Sequence, residues 1–319
     1  MTSITRYPIL LGIAAVVFCT TERCVLTLGQ AAEQPDMATW SAQVEQQAPS
    51  RPTVVTESAA PRELFVFSLF TGYQHTVIPY VDRVLQILGE KSKAFRVTIS
   101  CDIEDLSAEN LKRYDVLVLN NTCSVGARRN LFLDVLEKNS RYAALSEQQR
   151  IERATELERG IIEFVNAGKG LVAIHGAPTI LNNSEAFSQM VGGAFDYHPP
   201  SQQVTVSVTD TEHPLTAAFR GQGPLVYRDE PYCFKGAYDG TPFRPLLAFE
   251  NQQVKDPQGK FDDRARYAAW IKPHGQGRVF FCSPGHYAEC YTSSALLQFL
   301  LDGIQYAAGD LKCPDGRQE

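Results

Sequence analysis

Gly170-Leu171-Val172-Ala173-Ile174-His175-Gly176 is the stretch that decides how this chain folds. Four consecutive apolar residues that stop abruptly at a His-Gly pair read as a strand buried on both faces of a parallel sheet, ending in a tight turn. Immediately upstream, residues 145–167 carry the strongest helical pattern in the sequence. Ser146 and Gln149 form a capping box, Ile151, Ala154, Ile161 and Val165 make the apolar stripe, and Gly168 follows the last turn. Further back, Val116-Leu117-Val118-Leu119 and Leu64-Phe65-Val66-Phe67 repeat the continuous apolar run, and Phe95 to Ile99 supplies another strand. Between them Val77, Val81, Val84 and Leu88 recur at helical spacing, with Gly89 read as the stop. This strand–helix alternation predicts a parallel sheet covered on both faces.

Downstream the texture changes. Val204, Val206 and Val208 alternate with Thr205 and Ser207, the pattern of an antiparallel strand with one solvated face. Residues 246–249, 266–270 and 278–282 add strands, residues 251–263 read as a loop, and Leu297, Leu300, Ile304 and Ala307 share one face of a last helix. The expectation is a single α/β domain over residues 63–310: a doubly wound, mostly parallel sheet with antiparallel additions in its second half.

The flanks read differently. Arg6 precedes the apolar run from Pro8 to Cys19, and small residues follow near Gly29 to Ala32, so residues 1–32 are expected to be a signal peptide directing export to the periplasm or beyond. The run is shorter than the roughly 20 apolar residues a membrane-spanning helix needs. Bulky Phe18 before Cys19 argues against a lipoprotein attachment site. Residues 33–62, rich in Gln, Glu, Ser, Ala and Pro, read as a flexible linker, and residues 311–319 as a tail. With 44% hydrophobic residues and a formal net charge of -6, the chain has an ordinary globular composition and no basic footprint for nucleic acid. Removing the leader would leave six of eight cysteines, an even number compatible with disulfides in an exported protein, with pairing open. No Cys-x-x-Cys pair occurs, which excludes a zinc-ribbon or thioredoxin-like motif.

In an open α/β sheet, ligands bind beyond the carboxyl ends of the strands. Past the first strand lie Thr71 to His75, past the third Asn120-Asn121-Thr122-Cys123, past the fourth His175, and past the last Cys282-Ser283-Pro284-Gly285-His286. Three of only six histidines therefore fall at corresponding places, which makes His75, His175 and His286 the candidate catalytic or metal-ligating set. His198 before Pro199-Pro200 lies in a rigid segment that could reach the same pocket, whereas His213-Pro214 reads as a turn and His274 as surface. Within Asp229-Glu230-Pro231-Tyr232, a carboxylate beside histidines could orient an imidazole, act as acid or base, or complete a metal site. Asn120, Asn121 and Thr122 could hydrogen-bond the hydroxyls of a ligand, although turn chemistry alone explains such a run. Cys123 reads as packing. The histidines with Glu230 are suitable ligand types for a divalent metal, but their wide spacing in sequence does not by itself specify one.

Read in order, Gly72-Tyr73-Gln74-His75, Gly170 to Ala177, Gly192 to Pro199, Glu212-His213-Pro214-Leu215, Asp229 to Tyr232, Trp270, Gly275 to Phe280 and Gly285-His286 resemble the ThuA-like family, named for trehalose utilisation. The resemblance spans nearly all of residues 63–310 and implies a flavodoxin-like, class I glutamine amidotransferase-like fold. Amidotransferases of that fold place a catalytic cysteine in the turn after a central strand, where this chain has His175, so glutaminase chemistry is not expected. It singles out Glu230 and Tyr232. It further implies work on sugars, in particular oxidised (keto) glycosides made by a partner sugar dehydrogenase. A ketone at C3 acidifies the C2 proton, so a base such as His175 or Glu230 could remove it while His75, His286 or a metal stabilises the enolate oxygen. The competing expectation is a non-catalytic exported carbohydrate-binding protein.

Overall fold

The computed structural model of the protein describes residues 34–55, 60–240, 243–261 and 266–316. The leader expected over residues 1–32 lies outside them. The chain runs α1 (Met37–Gln47), β1 (Arg62–Phe67), α2 (Ile78–Ser92), β2 (Phe95–Ser100), α3 (Ala108–Leu111), β3 (Val116–Asn120), α4 (Leu131–Lys138), α5 (Glu147–Asn166) and β4 (Gly170–Ile174). It continues through α6 (Glu185–Val191), β5 (Ala194–Tyr197), β6 (Gln202–Val208), β7 (Leu225–Asp229), β8 (Cys233–Lys235), β9 (Arg244–Phe249), β10 (Tyr267–His274), β11 (Gly277–Cys282) and α7 (Ser294–Ala307).

Nine strands form one sheet in the order β2-β1-β3-β4-β11-β10-β9-β6-β7. The first five pair in parallel, and β10, β9, β6 and β7 extend it antiparallel, as the change of texture after residue 200 predicts. Along β1, β3, β4 and β11 successive side chains go to opposite faces. Leu64, Val66, Val116, Val118, Val172 and Ile174 pack with α2 and α7. Phe65, Phe67, Leu117, Leu119, Leu171 and Ala173 pack with α4, α5 and α6. Both faces are covered, which is why these strands carry no polar alternation. The strand order reverses between β1 and β3, so the ligand crevice of such a sheet is expected where the loops after β1, β3 and β4 meet.

Several expectations need correction. Gly89 does not end α2; the helix continues to Ser92 and stops at left-handed Lys93 (φ 58°). A Cβ at Gly89 would lie 2.8 Å from Phe95 O, so this glycine serves the close approach of β2 to the helix. The segment read as a linker contains α1, capped by the Asp36 side chain on Thr39 N at 2.9 Å. Trp40, Val44 and Ala48 repeat every fourth residue and are all buried. Burying a side chain of the size of Val44 stabilises by about 1.5–3 kcal/mol, enough to hold a short helix that composition alone disguises. The tail is docked as well: Leu311 is buried, and His213 Nε2 lies 2.8 Å from Pro314 O. His274 closes the β10–β11 hairpin and is half-buried, not a surface residue. Cys123, Cys282 and Cys290 are buried free thiols. No helix of the described residues is long and apolar enough to cross a membrane.

Candidate functional site

Four sheet-end loops build the site. Past β1, the amides of Thr71 and Gly72 both donate to Cys123 O, at 2.8 and 3.0 Å, which pins the His75 loop to the loop after β3. A Cβ on Gly72 would sit 2.4 Å from Ser124 O, so only glycine permits that approach. Past β4, His175 adopts φ 48°, a left-handed conformation that costs a non-glycine residue about 1–2 kcal/mol. Its amide donates to Cys282 O at 2.9 Å. The strained turn aims the imidazole away from the sheet and over the loop after β11, which carries His286.

The acidic pair arrives from the far side. In a flat sheet, β7 would lie five steps of about 4.8 Å, or roughly 24 Å, from β4. Yet Glu230 Oε2 is 3.4 Å from His175 Nε2. The geometry follows from β6, whose residues Val206–Val208 pair with β9 while Gln202–Val206 pair with β7. The β6–β7 arm thus projects past β9 and curls back over the strand ends. Asp229 anchors it by accepting from Gly285 N at 3.0 Å and from Glu230 N at 2.8 Å.

Within the site, His175 Nε2, His286 Nδ1 and Glu230 Oε2 form a triangle with edges of 3.3, 3.2 and 3.4 Å. A ring atom of His75 completes a four-residue set whose ligand atoms all lie within 4.8 Å of one another, and all four residues are buried. His175 Nδ1 is 2.8 Å from Ser283 O, so it donates there, and Nε2 is the nitrogen turned toward the cluster. Asp229 Oδ1 stands 3.6 Å from the same Nδ1. Burial acts to lower the His175 pKa, but Asp229 and Glu230 outweigh it and the net shift is upward. For Glu230 burial acts to raise the value, yet hydrogen bonds from His175 and His286 prevail and hold the carboxyl well below its usual range. Burial, reinforced by the neighbouring imidazoles of His175 and His286, drives His75 far down, so it is neutral. Burial pushes Asp229 up.

These residues fit a divalent metal. A tetrahedral site with bonds of about 2.0–2.1 Å has donor–donor edges of roughly 3.3–3.4 Å, the size of the observed triangle. His75 Nε2 is buried with no hydrogen-bond partner among the described residues, an orphan that a ligated ion would satisfy. The Ser283 carbonyl and Asp229 supply the outer contacts that fix a ligating histidine's tautomer.

The other sequence candidates fall into two groups. His198 reaches the mouth: its Nδ1 is 2.8 Å from Pro199 O, and its Nε2 faces Glu230 Oε2 at 3.8 Å. Tyr232 is buried between them, 4.5 Å from the His175 ring and stacked on His198 at 5.4 Å. Asn120, Asn121 and Thr122 lie at the expected sheet end but are buried in bonds to the protein itself. Asn120 Nδ2 donates to Ile78 O at 3.0 Å and Asp82 Oδ1 at 2.8 Å, Asn121 Nδ2 donates to Asn120 Oδ1 at 3.0 Å, and Thr122 bonds Ala177 O at 3.4 Å. Their side chains brace the turns. Burial pushes the Cys123 thiol up to about 12, which accords with a packing role. Sequence reasoning underrated Asp229 and missed Ser283 and Tyr73; Tyr73 lies edge-on to His75 at 4.8 Å and is partly exposed at the opening. A backbone carbonyl leaves no residue-type signal, and Asp229 was legible only as the neighbour of Glu230.

A family model described as ThuA, trehalose utilisation, matches residues 63–307. Among solved structures, the chain is similar to a ThuA-like protein from Bacteroides uniformis, with a TM-score of 0.58 and 17% identity over 79% of this chain and 94% of that one. It is also similar to a ThuA-like protein from Parabacteroides merdae, with a TM-score of 0.55 and 16% identity over 79% and 92%. At these identities the likeness establishes the fold. No curated protein matches the sequence.

Proposed function

The chain belongs to the ThuA, or trehalose-utilisation, family, and from that premise we propose that it is an enzyme acting on keto-glycosides at the His75–His175–Glu230–His286 centre. The observation that carries this reading is the buried donor triangle with its orphaned fourth nitrogen, opening beside a histidine outside the set. The four residues would hold a divalent ion, which when bound supplies fixed positive charge opposite a developing oxyanion. With His175 and Glu230 committed to that set, neither is free to serve as the base. His198 takes that role in this reading. Its Nδ1–H is tied to Pro199 O, so Nε2 presents a lone pair to a substrate at the mouth.

The chemistry balances simply. In a 3-keto sugar, His198 Nε2 accepts the C2 proton and the electron pair left behind delocalises onto the C3 oxygen. Its return forms the C1–C2 double bond as the C1–O bond breaks, and the departing oxygen takes its pair and is protonated. Addition of water across the new double bond completes net hydrolysis. A dehydrogenase that oxidises the C3 hydroxyl would have to supply the substrate.

The test is incubation of the purified full chain with 3-keto-trehalose and related keto-glucosides, with and without added divalent ions. We expect ion-dependent turnover that falls about 10²–10⁴-fold in His198→Ala, the range for losing a general base, while ion affinity is kept. No turnover under any metal condition would sink the enzymatic reading, and sugar binding measured calorimetrically without turnover would favour a binding protein.

A further inference from the structure

We infer that the segment Gln34–Ala48, which precedes the family-matched region, is a strap that sets the spacing between His75 and His286, with Gln34 as its positioning residue. Gln34 touches both histidine-bearing loops at once. Its Nε2 donates to Thr76 Oγ1 at 3.0 Å, next to His75, and approaches the main-chain carbonyl of His286 at 3.5 Å. Its Oε1 accepts from Ala288 N at 2.9 Å. Trp40 Nε1 donates to Ala288 O at 2.8 Å, so both main-chain groups of this fully buried alanine are held by the strap. The Trp40 ring packs edge-on against Tyr80 at 4.9 Å, and the Tyr80 hydroxyl returns to Pro35 O.

Tyr80 belongs to α2, which begins just after His75, and Ala288 opens the turn just after His286. The strap therefore ties together the supports of two of the four proposed ligands. His175 and Glu230 are held by contacts that the strap does not make, the strained turn after β4 and the Asp229 anchor on Gly285 N. His75 makes no hydrogen bond through Nε2 among the described residues and meets only the Cys123 thiol at Nδ1, at 3.6 Å, so its distance from His286 depends on what holds the two loops. Outer contacts of this kind typically change metal affinity by about 10–100-fold when removed.

The inference rests on the four-residue centre, so its test has one readout that needs the ion and one that does not. In the full chain, Gln34→Ala is compared with Gln34→Glu, which keeps the acceptor toward Ala288 but loses the donors. Glu45→Ala is the control, on α1 of the same strap but facing Arg83. Cobalt(II) titration should give a dissociation constant raised at least about tenfold in Gln34→Ala, an intermediate value in Gln34→Glu and no change in Glu45→Ala. In the ion-free protein, imidazole resonances of His75 and His286 should move in Gln34→Ala, while those of His213 stay put. Unmoved His75 and His286 resonances, or shifts shared equally by His213, overturn the strap whatever cobalt does. A wild-type protein that takes up no cobalt overturns the metal reading, and the resonances alone then decide the strap.

Discussion

Proton–metal competition at His175 is the most exacting consequence of the site. Its Nδ1–H is held by Ser283 O, so any second proton sits on Nε2, the atom that must be bare to ligate an ion. Two of the other members are already prepared: Glu230 is held ionised and His75 neutral. The folded pKa of His175 lies above its ordinary value of 6.5. Below that folded pKa, ion binding must expel one proton, and affinity should fall about tenfold per pH unit, about 1.4 kcal/mol each. Above it, affinity should be flat in His175. Calorimetric zinc titrations in two buffers of different ionisation enthalpy count the released protons. They should rise toward one from His175 as pH drops below its folded pKa. Asp229→Asn removes the charge 3.6 Å from Nδ1, so the break should move to lower pH while affinity on the plateau weakens about 10–100-fold. A pH-independent affinity with no proton release between about pH 5.5 and 8 would refute the reasoning, because the raised His175 requires a proton to leave.

Two further outcomes are expected. A Cβ at Gly176 would lie 2.7 Å from Cys123 Sγ and 3.0 Å from His75 Cε1, so Gly176→Ala should destabilise by about 1–3 kcal/mol. Thermal melts should show the loss, and adding Cys123→Ala should recover part of it; additive effects in the double variant would contradict the proposed clash. With its thiol pushed up to about 12, Cys123 should resist iodoacetamide at pH 7.5 in the folded chain, and glutamine should not be hydrolysed. Rapid alkylation followed by mass spectrometry, or thiol-sensitive ammonia release, would restore the amidotransferase chemistry that the elbow His175 argues against.

Much of the sheet was legible because β1, β3 and β4 are buried on both faces and must read as unbroken apolar runs. The histidines were legible for a related reason: parallel strands that end together bring their next residues together, whatever their distance in sequence. The same rule misassigned Asn120 and Asn121. It says which residues meet at the sheet end, but not whether they face a ligand or brace the turns. Asn120 spends its amide on Ile78 O and Asp82, partners that only the packing of α2 reveals.

The amino-acid sequence by itself determined the two-faced sheet, the turn at His175 and the convergence of His75, His175 and His286, all of which follow from local periodicity plus one topological rule. The tertiary structure alone decided the rest. Glu230 reaches His175 because β6 pairs with two partners at different points along its length and lets β7 curl home, a long-range register that no local pattern encodes. The tautomer of His175 depends on a backbone carbonyl, identical in every residue type. Residues 34–48 became a strap because three apolar side chains found a waiting surface on α2 and the turn after His286, and the free energy of that burial belongs to the contact between them.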